Sequence, residues 1–177
     1  AIERMKKLPI CNRLLCDTHK VLLQGVRGQE KNPGEFRKSQ NWIGSSNSSL
    51  KTARYVPPTV EDMKEAMSDL EKFINNNEMD ILLKTALVHY QFETIHPFTD
   101  GNGRTARSLV YWYMLKKDYW MTEFLSISRV IYKNKKRYER SFLYTEADGM
   151  DMTYFILHNL TVMKKAYEEL KTYLARK

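Results

Sequence analysis

Outside residues 25–56, apolar side chains recur at helical spacing along nearly the whole chain, and this limits its fold more than any other feature. Seven glycines and five prolines in 177 residues are too few to punctuate a many-stranded architecture. The pattern predicts an all-α domain. A short turn or helix over 2–8, ended at Pro9, comes first; Ile10, Leu14, Leu15, Val21 and Leu22 then suit a helix that stops at Gly25. Thr59 is placed to cap the next helix, with Asp62 near the capping-box position and Met63, Met67, Leu70, Phe73 and Ile74 on its buried face. Asp80 begins another, in which Ile81, Leu82, Thr85, Val88, His89 and Phe92 recur up to Ile95. Leu109, Val110, Trp112, Tyr113 and Leu115 describe a helix apolar on nearly all sides, the mark of a core helix. Helices over 127–144 and 152–174 follow, separated by Asp148-Gly149.

Residues 25–56 break this rhythm with Gly25, Gly28, Pro33, Gly34, Gly44 and a serine-rich stretch at 45–49. They predict loops and at most one small β-hairpin, with arms at 41–44 and 53–56, before Pro57-Pro58 ends the region. The length fits one domain over 1–177 with a core of its own. No apolar run approaches the roughly 18 residues that span a bilayer, and no signal peptide is visible. Cys11 and Cys16 form neither a CxxC pair nor a disulfide framework, so a reducing, cytoplasmic setting is expected. The net charge of +8 gathers partly in Lys133, Lys135, Lys136, Arg137 and Arg140. Such a run reads first as a solvated helix face, and nucleic acid is not the expected partner, although polyphosphate or an acidic protein would also be attracted.

The chemistry concentrates in residues 96–107, which read His96-Pro97-Phe98-Thr99-Asp100-Gly101-Asn102-Gly103-Arg104-Thr105-Ala106-Arg107. Gly101 and Gly103 flank Asn102, which lets the backbone turn through positive φ and present N–H groups to an anion. Arg104 and Arg107 stand at a helix start, where cations oppose the helix dipole unless an anion offsets them. Asp100 suits a hard cation such as Mg²⁺, which binds one or two carboxylates together with substrate phosphates. His96, held extended before Pro97, is a candidate general base, while His89 on the same helix reads as structural. Phe98, between polar neighbours, reads as the anchor of the loop. A Walker A loop is excluded by the missing lysine and a Rossmann fingerprint by the missing third glycine; zinc lacks a third ligand.

Residues 96–107 match HPFx(D/E)GNGRxxR at every specified position, about ten fixed letters, and so resemble the Fic family. The resemblance extends to Gly34-Glu35-Phe36-Arg37 through Trp42-Ile43-Gly44 and Tyr55-Val56-Pro57-Pro58, similar to that family's flap over 34–56, and to residues 89–95 leading into the motif. It implies a Fic fold, a helical bundle with a β-hairpin flap. It also implies a protein adenylyltransferase that moves AMP from ATP to a Ser, Thr or Tyr hydroxyl. On that resemblance His96 is the base and Asp100 the Mg²⁺ ligand. The backbone of Gly101 to Gly103 and the Asn102 side chain cradle the α and β phosphates, Arg104 holds the β phosphate and Arg107 the γ phosphate. Trp42 and Ile43 are expected near a target segment docked as an added strand, and Tyr138 and Tyr144 beside the adenine.

Many family members carry an inhibitory helix whose glutamate pairs with the second motif arginine. No such pattern occurs between Ala1 and Lys177. The expectation is a fragment whose inhibitory segment lay upstream or comes from a partner, leaving Arg107 open to ATP. Competing readings on the same scaffold are removal of AMP, transfer of UMP, phosphocholine or a phosphoryl group, and a non-catalytic nucleotide-binding regulator.

Overall fold

A computed structural model describes residues 8–45, 47–76 and 78–177. Nearly all of the predicted helix over 2–8, and Ser46 of the serine-rich stretch, lie outside the described residues. Seven α-helices are described: α1 (Asn12–Leu22), α2 (Val60–Asn76), α3 (Ile81–Ile95), α4 (Asn102–Lys116), α5 (Ile127–Lys133), α6 (Lys135–Ala147) and α7 (Thr153–Leu174). A 3₁₀ helix, Trp120–Phe124, lies between α4 and α5. The all-helical expectation holds. The flap hairpin is not shown as strands among the described residues; its two expected arms meet there in one antiparallel bridge, Ile43 with Tyr55. Ile43 donates its N–H to the Tyr55 carbonyl at 2.9 Å and accepts from Arg54 N–H at 2.8 Å. Ser45 and Ser48, hydrogen-bonded to each other at 3.0 Å, curl the chain into turns just beyond the bridge.

Local sequence explains two helix starts and one break. Thr59 Oγ1 accepts the Asp62 N–H at 3.2 Å and donates to the Asp62 carboxylate at 2.8 Å, as the capping pattern predicts. Asp80 Oδ1 accepts the N–H groups of Leu82 and Leu83 at 2.9 and 3.1 Å, satisfying two orphan donors at the start of α3. The single helix expected over 127–144 is instead broken at Asn134, whose φ of −127° and ψ of 38° are not helical. Its amide turns back on the Val130 carbonyl at 3.4 Å, the local competition that makes asparagine a helix breaker.

The chain forms two compact units, one of residues 8–78 and 91–109 and the other containing 79–90 and 110–177. In the first, α1 and α2 pack together. Asn12 donates to the Met67 carbonyl at 3.2 Å, and Asn75 to the Ile10 carbonyl at 2.8 Å. In the second, Val110, Met114, Val130, Ile131, Val162 and Met163 form a buried apolar cluster. Beside it, Tyr138 and Phe155 contact the His89 ring and pack with Phe142, which stacks on Tyr90. His89 is structural, as its position suggested: Nδ1 lies 3.2 Å from Asn159 Oδ1 and Nε2 lies 3.1 Å from the Tyr138 hydroxyl.

His158 on α7 is buried, and its imidazole is pushed down to about 4, first by desolvation and then by Arg137 and Lys165. The unfolded chain therefore takes up a proton near pH 6.5 that the folded chain refuses until about pH 4. Stability present above pH 6.5 is lost as the pH falls through this window, at about 1.4 kcal/mol per pH unit for one histidine. Urea midpoints measured from about pH 7 to pH 5 should decline accordingly, and His158→Gln should make the decline shallower while the part due to His96 and His19 remains.

Candidate active site

The site is built where α3 ends and α4 begins. His96 extends α3 by one bond, its N–H donating to the Phe92 carbonyl at 3.1 Å. Its φ is +50°, which corrects the extended conformation expected before Pro97. Left-handed backbone closes a helix efficiently but costs a non-glycine residue about 1–3 kcal/mol, so the surroundings must hold it. Arg37 does this. Its N–H donates to the Pro97 carbonyl at 2.8 Å, and its buried guanidinium donates to the His96 carbonyl at 3.1 Å, to Ser39 O at 3.2 Å and to the Pro58 carbonyl.

The His96 imidazole is half-buried, with Nδ1 3.2 Å from the Glu93 carbonyl. A carbonyl only accepts, so Nδ1 carries the proton and Nε2 keeps its lone pair. Desolvation pushes the imidazole down to about 4; the Glu93 carbonyl and Asp100 oppose this, and Arg37 adds to it. At neutral pH His96 is therefore an uncharged proton acceptor.

Phe98 is fully buried, its ring stacked on His19 with centroids 3.7 Å apart and planes 3° apart. Asn102 closes the loop from inside: Oδ1 accepts the Phe98 N–H at 2.8 Å and Nδ2 donates to the Phe98 carbonyl at 2.7 Å. Both ends of this amide are thus committed to shaping the loop. Of the two motif glycines only Gly101 has positive φ, at +84°. Gly103 belongs to the first turn of α4 and serves close approach instead. A methyl group there would sit 3.1 Å from Arg107 Nη1 and 3.2 Å from Glu93 Oε1.

Asp100 Oδ1 accepts the Gly101 N–H at 2.6 Å and lies 3.8 Å from Arg104 Nη2, while Oδ2 lies 4.0 Å from Arg27 Nε. Arg104 also donates to the Arg27 carbonyl at 2.9 Å. Gly28, at φ +93°, brings its backbone so close that a Cβ would stand 2.7 Å from Asp100 Oδ2. Two motif residues, Asp100 and Arg104, therefore gather with Arg27 at the start of α4, whose first turn holds no acid. No group of three or more metal-ligating His, Cys, Asp or Glu side chains occurs among the described residues. A lone carboxylate beside arginines fits Mg²⁺ only when substrate phosphates complete the oxygen shell.

His19 escaped the sequence reading. It is fully buried, accepts the Gly34 N–H on Nδ1 at 2.8 Å and therefore donates from Nε2 to the Asp100 carbonyl at 2.9 Å. Its position four residues after Leu15 on the apolar side of α1 was the available signal. Trp42 and Ile43 are partly exposed, at 44% and 37%, with Trp42 Nε1 donating to the Ser48 carbonyl at 3.0 Å. Tyr138 and Tyr144 belong to the other compact unit. Tyr138 is engaged with His89, and Tyr144 lies exposed against Tyr154 with ring centroids 5.8 Å apart.

These features define a helical protein with a buried-histidine loop feeding an anion-ready helix start. Residues 9–114 match the model of the Fic/DOC family, and the chain belongs to that family. Among curated relatives it is similar to the protein adenylyltransferase Fic of Drosophila grimshawi, 32% identical over 118 residues, and to that of Drosophila melanogaster, 30% identical over the same length. Each match covers 65% of this chain and 22% of the relative, so the chain spans about a fifth of their length. Its fold is similar to a Fic family protein from Desulfovibrio desulfuricans (TM-score 0.78, 24% identity, covering 97% of this chain and 50% of the other). It is also similar to Fic-1 from C. elegans (TM-score 0.59, 22% identity, covering 95% and 44%). No described helix is long and apolar enough to cross a membrane.

Replacing Arg37 by Ala leaves the part-buried carbonyls of His96 and Pro58 without this donor. The expected loss is about 2–3 kcal/mol in urea denaturation. Arg37→Lys should restore only part of it, because one ammonium cannot span the same carbonyls.

Proposed function

We propose that this protein is an adenylyltransferase that moves AMP from ATP to a hydroxyl of a target protein, with release of pyrophosphate. The observation that carries this reading is His96: a neutral imidazole with Nδ1 committed to the Glu93 carbonyl and Nε2 left as a base, in a loop that ends at Arg104 and Arg107. The similarity to proteins named adenylyltransferases supports it at the level of the family.

In the proposed reaction the target hydroxyl oxygen bonds to the α phosphorus as the bond from that phosphorus to the α–β bridging oxygen breaks. The hydroxyl proton passes to His96 Nε2, and the electron pair leaves with pyrophosphate. Mg²⁺, held by Asp100 and phosphate oxygens, supplies charge neutralisation when bound. Arg104 and Arg107 hold the β and γ phosphates, and the Gly101–Gly103 backbone lines the α and β phosphates. Asn102 acts through the Phe98 loop that it holds in shape. Trp42 and Ile43 receive a target strand beside the single bridge, and Tyr138 and Tyr144 are the candidates for the adenine side. An inhibitory glutamate from elsewhere would compete with the γ phosphate for Arg107.

With ATP labelled on the α phosphate, label should enter protein; with γ-labelled ATP it should not. His96→Ala should lower transfer by about 10²-fold or more while leaving ATP affinity within a few fold. Label entering from the γ position would overturn AMP transfer, and full activity of His96→Ala would overturn the assigned base. Because burial lowers the His96 pKa, its basic form persists as the pH falls below 6.5. The acid limb of kcat/KM should thus lie well below pH 6.5, towards about 4; a limb at 6.5 would contradict the assignment.

A further inference from the structure

In the unit that does not carry the motif, a cleft of about 840 Å³ opens beside α6 and α7. Its lining includes Lys133, Lys135, Lys136, Arg137 and Arg140 and no carboxylate. Lys133 is neutralised by Glu169 at 2.9 Å and Lys135 by Glu139 at 3.7 Å. Lys136, Arg137 and Arg140 have no ion pair among the described residues.

This placement works against the helix on its own. Lys135, Lys136 and Arg137 occupy the first turn of α6, the positive end of its dipole, with no acid in that turn and no side-chain cap. Lys136 and Arg140 add a like-charge pair one turn apart. A solvated basic face would explain exposed lysines, but not the second observation. His158 lines the same cleft at 6% exposure, and both its ring nitrogens are buried without a hydrogen-bond partner. Buried polar groups are nearly always paired, so an imidazole left bare beside three unpaired cations points to a ligand with acceptor oxygens.

We propose that this cleft is a second phosphate-binding site, separate from residues 96–107, that takes a small molecule carrying two or more phosphate groups. Arg137 and Arg140 supply forked donors for phosphate oxygens and Lys136 adds charge; His158, whose two ring nitrogens are both covered, donates one N–H only on turning toward the ligand. The volume suits a ligand up to the size of a nucleoside triphosphate. None of these residues belongs to the motif; Tyr144, which also lines the cleft, is the adenine-side candidate named above, so the inference is independent of the motif's phosphate contacts but is an alternative to that adenine assignment.

Tripolyphosphate is the probe, titrated calorimetrically at constant ionic strength into a chain carrying Arg104→Gln and Arg107→Gln, which weakens the motif's own hold on phosphate. Binding should persist there and weaken by about tenfold or more when Arg137→Gln and Arg140→Gln are added. Both arginines are exposed, so the four-fold variant should unfold at the same urea concentration as its parent or slightly higher, with repulsion relieved. Lys136→Gln and His158→Gln, each alone, should weaken binding by about three- to tenfold. Equal affinities for tripolyphosphate and ATP would assign the site to phosphate alone, and tenfold tighter ATP would assign it to a nucleotide. Loss of binding in the Arg104/Arg107 variant, or binding indifferent to Arg137 and Arg140, would overturn the proposal.

Discussion

The closure of Asn102 on Phe98 is the constraint from which the rest of the site follows. One amide takes both the N–H and the carbonyl of a single residue, so the four-residue turn has little freedom left. The phenyl ring projects into the interior, where it stacks on His19, and Asp100 is fixed by the bond from His19 to its carbonyl. Removing the Phe98 side chain would cost about 3–5 kcal/mol from lost burial and the cavity left behind. It would also release the polar groups that the ring keeps in register. Packing and chemistry are here the same interaction.

Electrostatics divide the site into two parts. His96 is kept uncharged by burial, whereas Arg104 and Arg107 stand at a helix start with no acidic residue in its first turn. A neutral base beside a concentration of positive charge is suited to receiving a polyanion first and a proton afterwards. His19 keeps a single tautomer for a different reason, since both its nitrogens are spoken for by backbone groups. Two histidines of one loop assembly thus differ: His19 braces the loop, while His96 is the base only of the proposed reaction.

Much of this was legible in the sequence because it is local. Helical spacing located the helices, Thr59 and Asp80 marked two starts, and the motif spelled out its own loop. What escaped depends on partners distant in the chain. His19 reaches Asp100 across 81 residues, and nothing in its neighbourhood signals that bond. The left-handed His96 runs against the preference before proline and exists because Arg37 holds its carbonyl. Of the small hairpin expected at 41–44 and 53–56, one bridge is described, and serine side-chain bonds lie just beyond it. Asn134 split a continuous helical pattern through one side-chain bond.

Arg37 has a consequence for how this surface can change. It grips the backbone at Ser39, Pro58 and His96 together, so the segment between residues 39 and 58 is knotted at its two ends to the same guanidinium. Whatever is written between those knots hangs as a loop from a fixed bracket. Its length and side chains can drift to suit new docking partners while the histidine keeps its place.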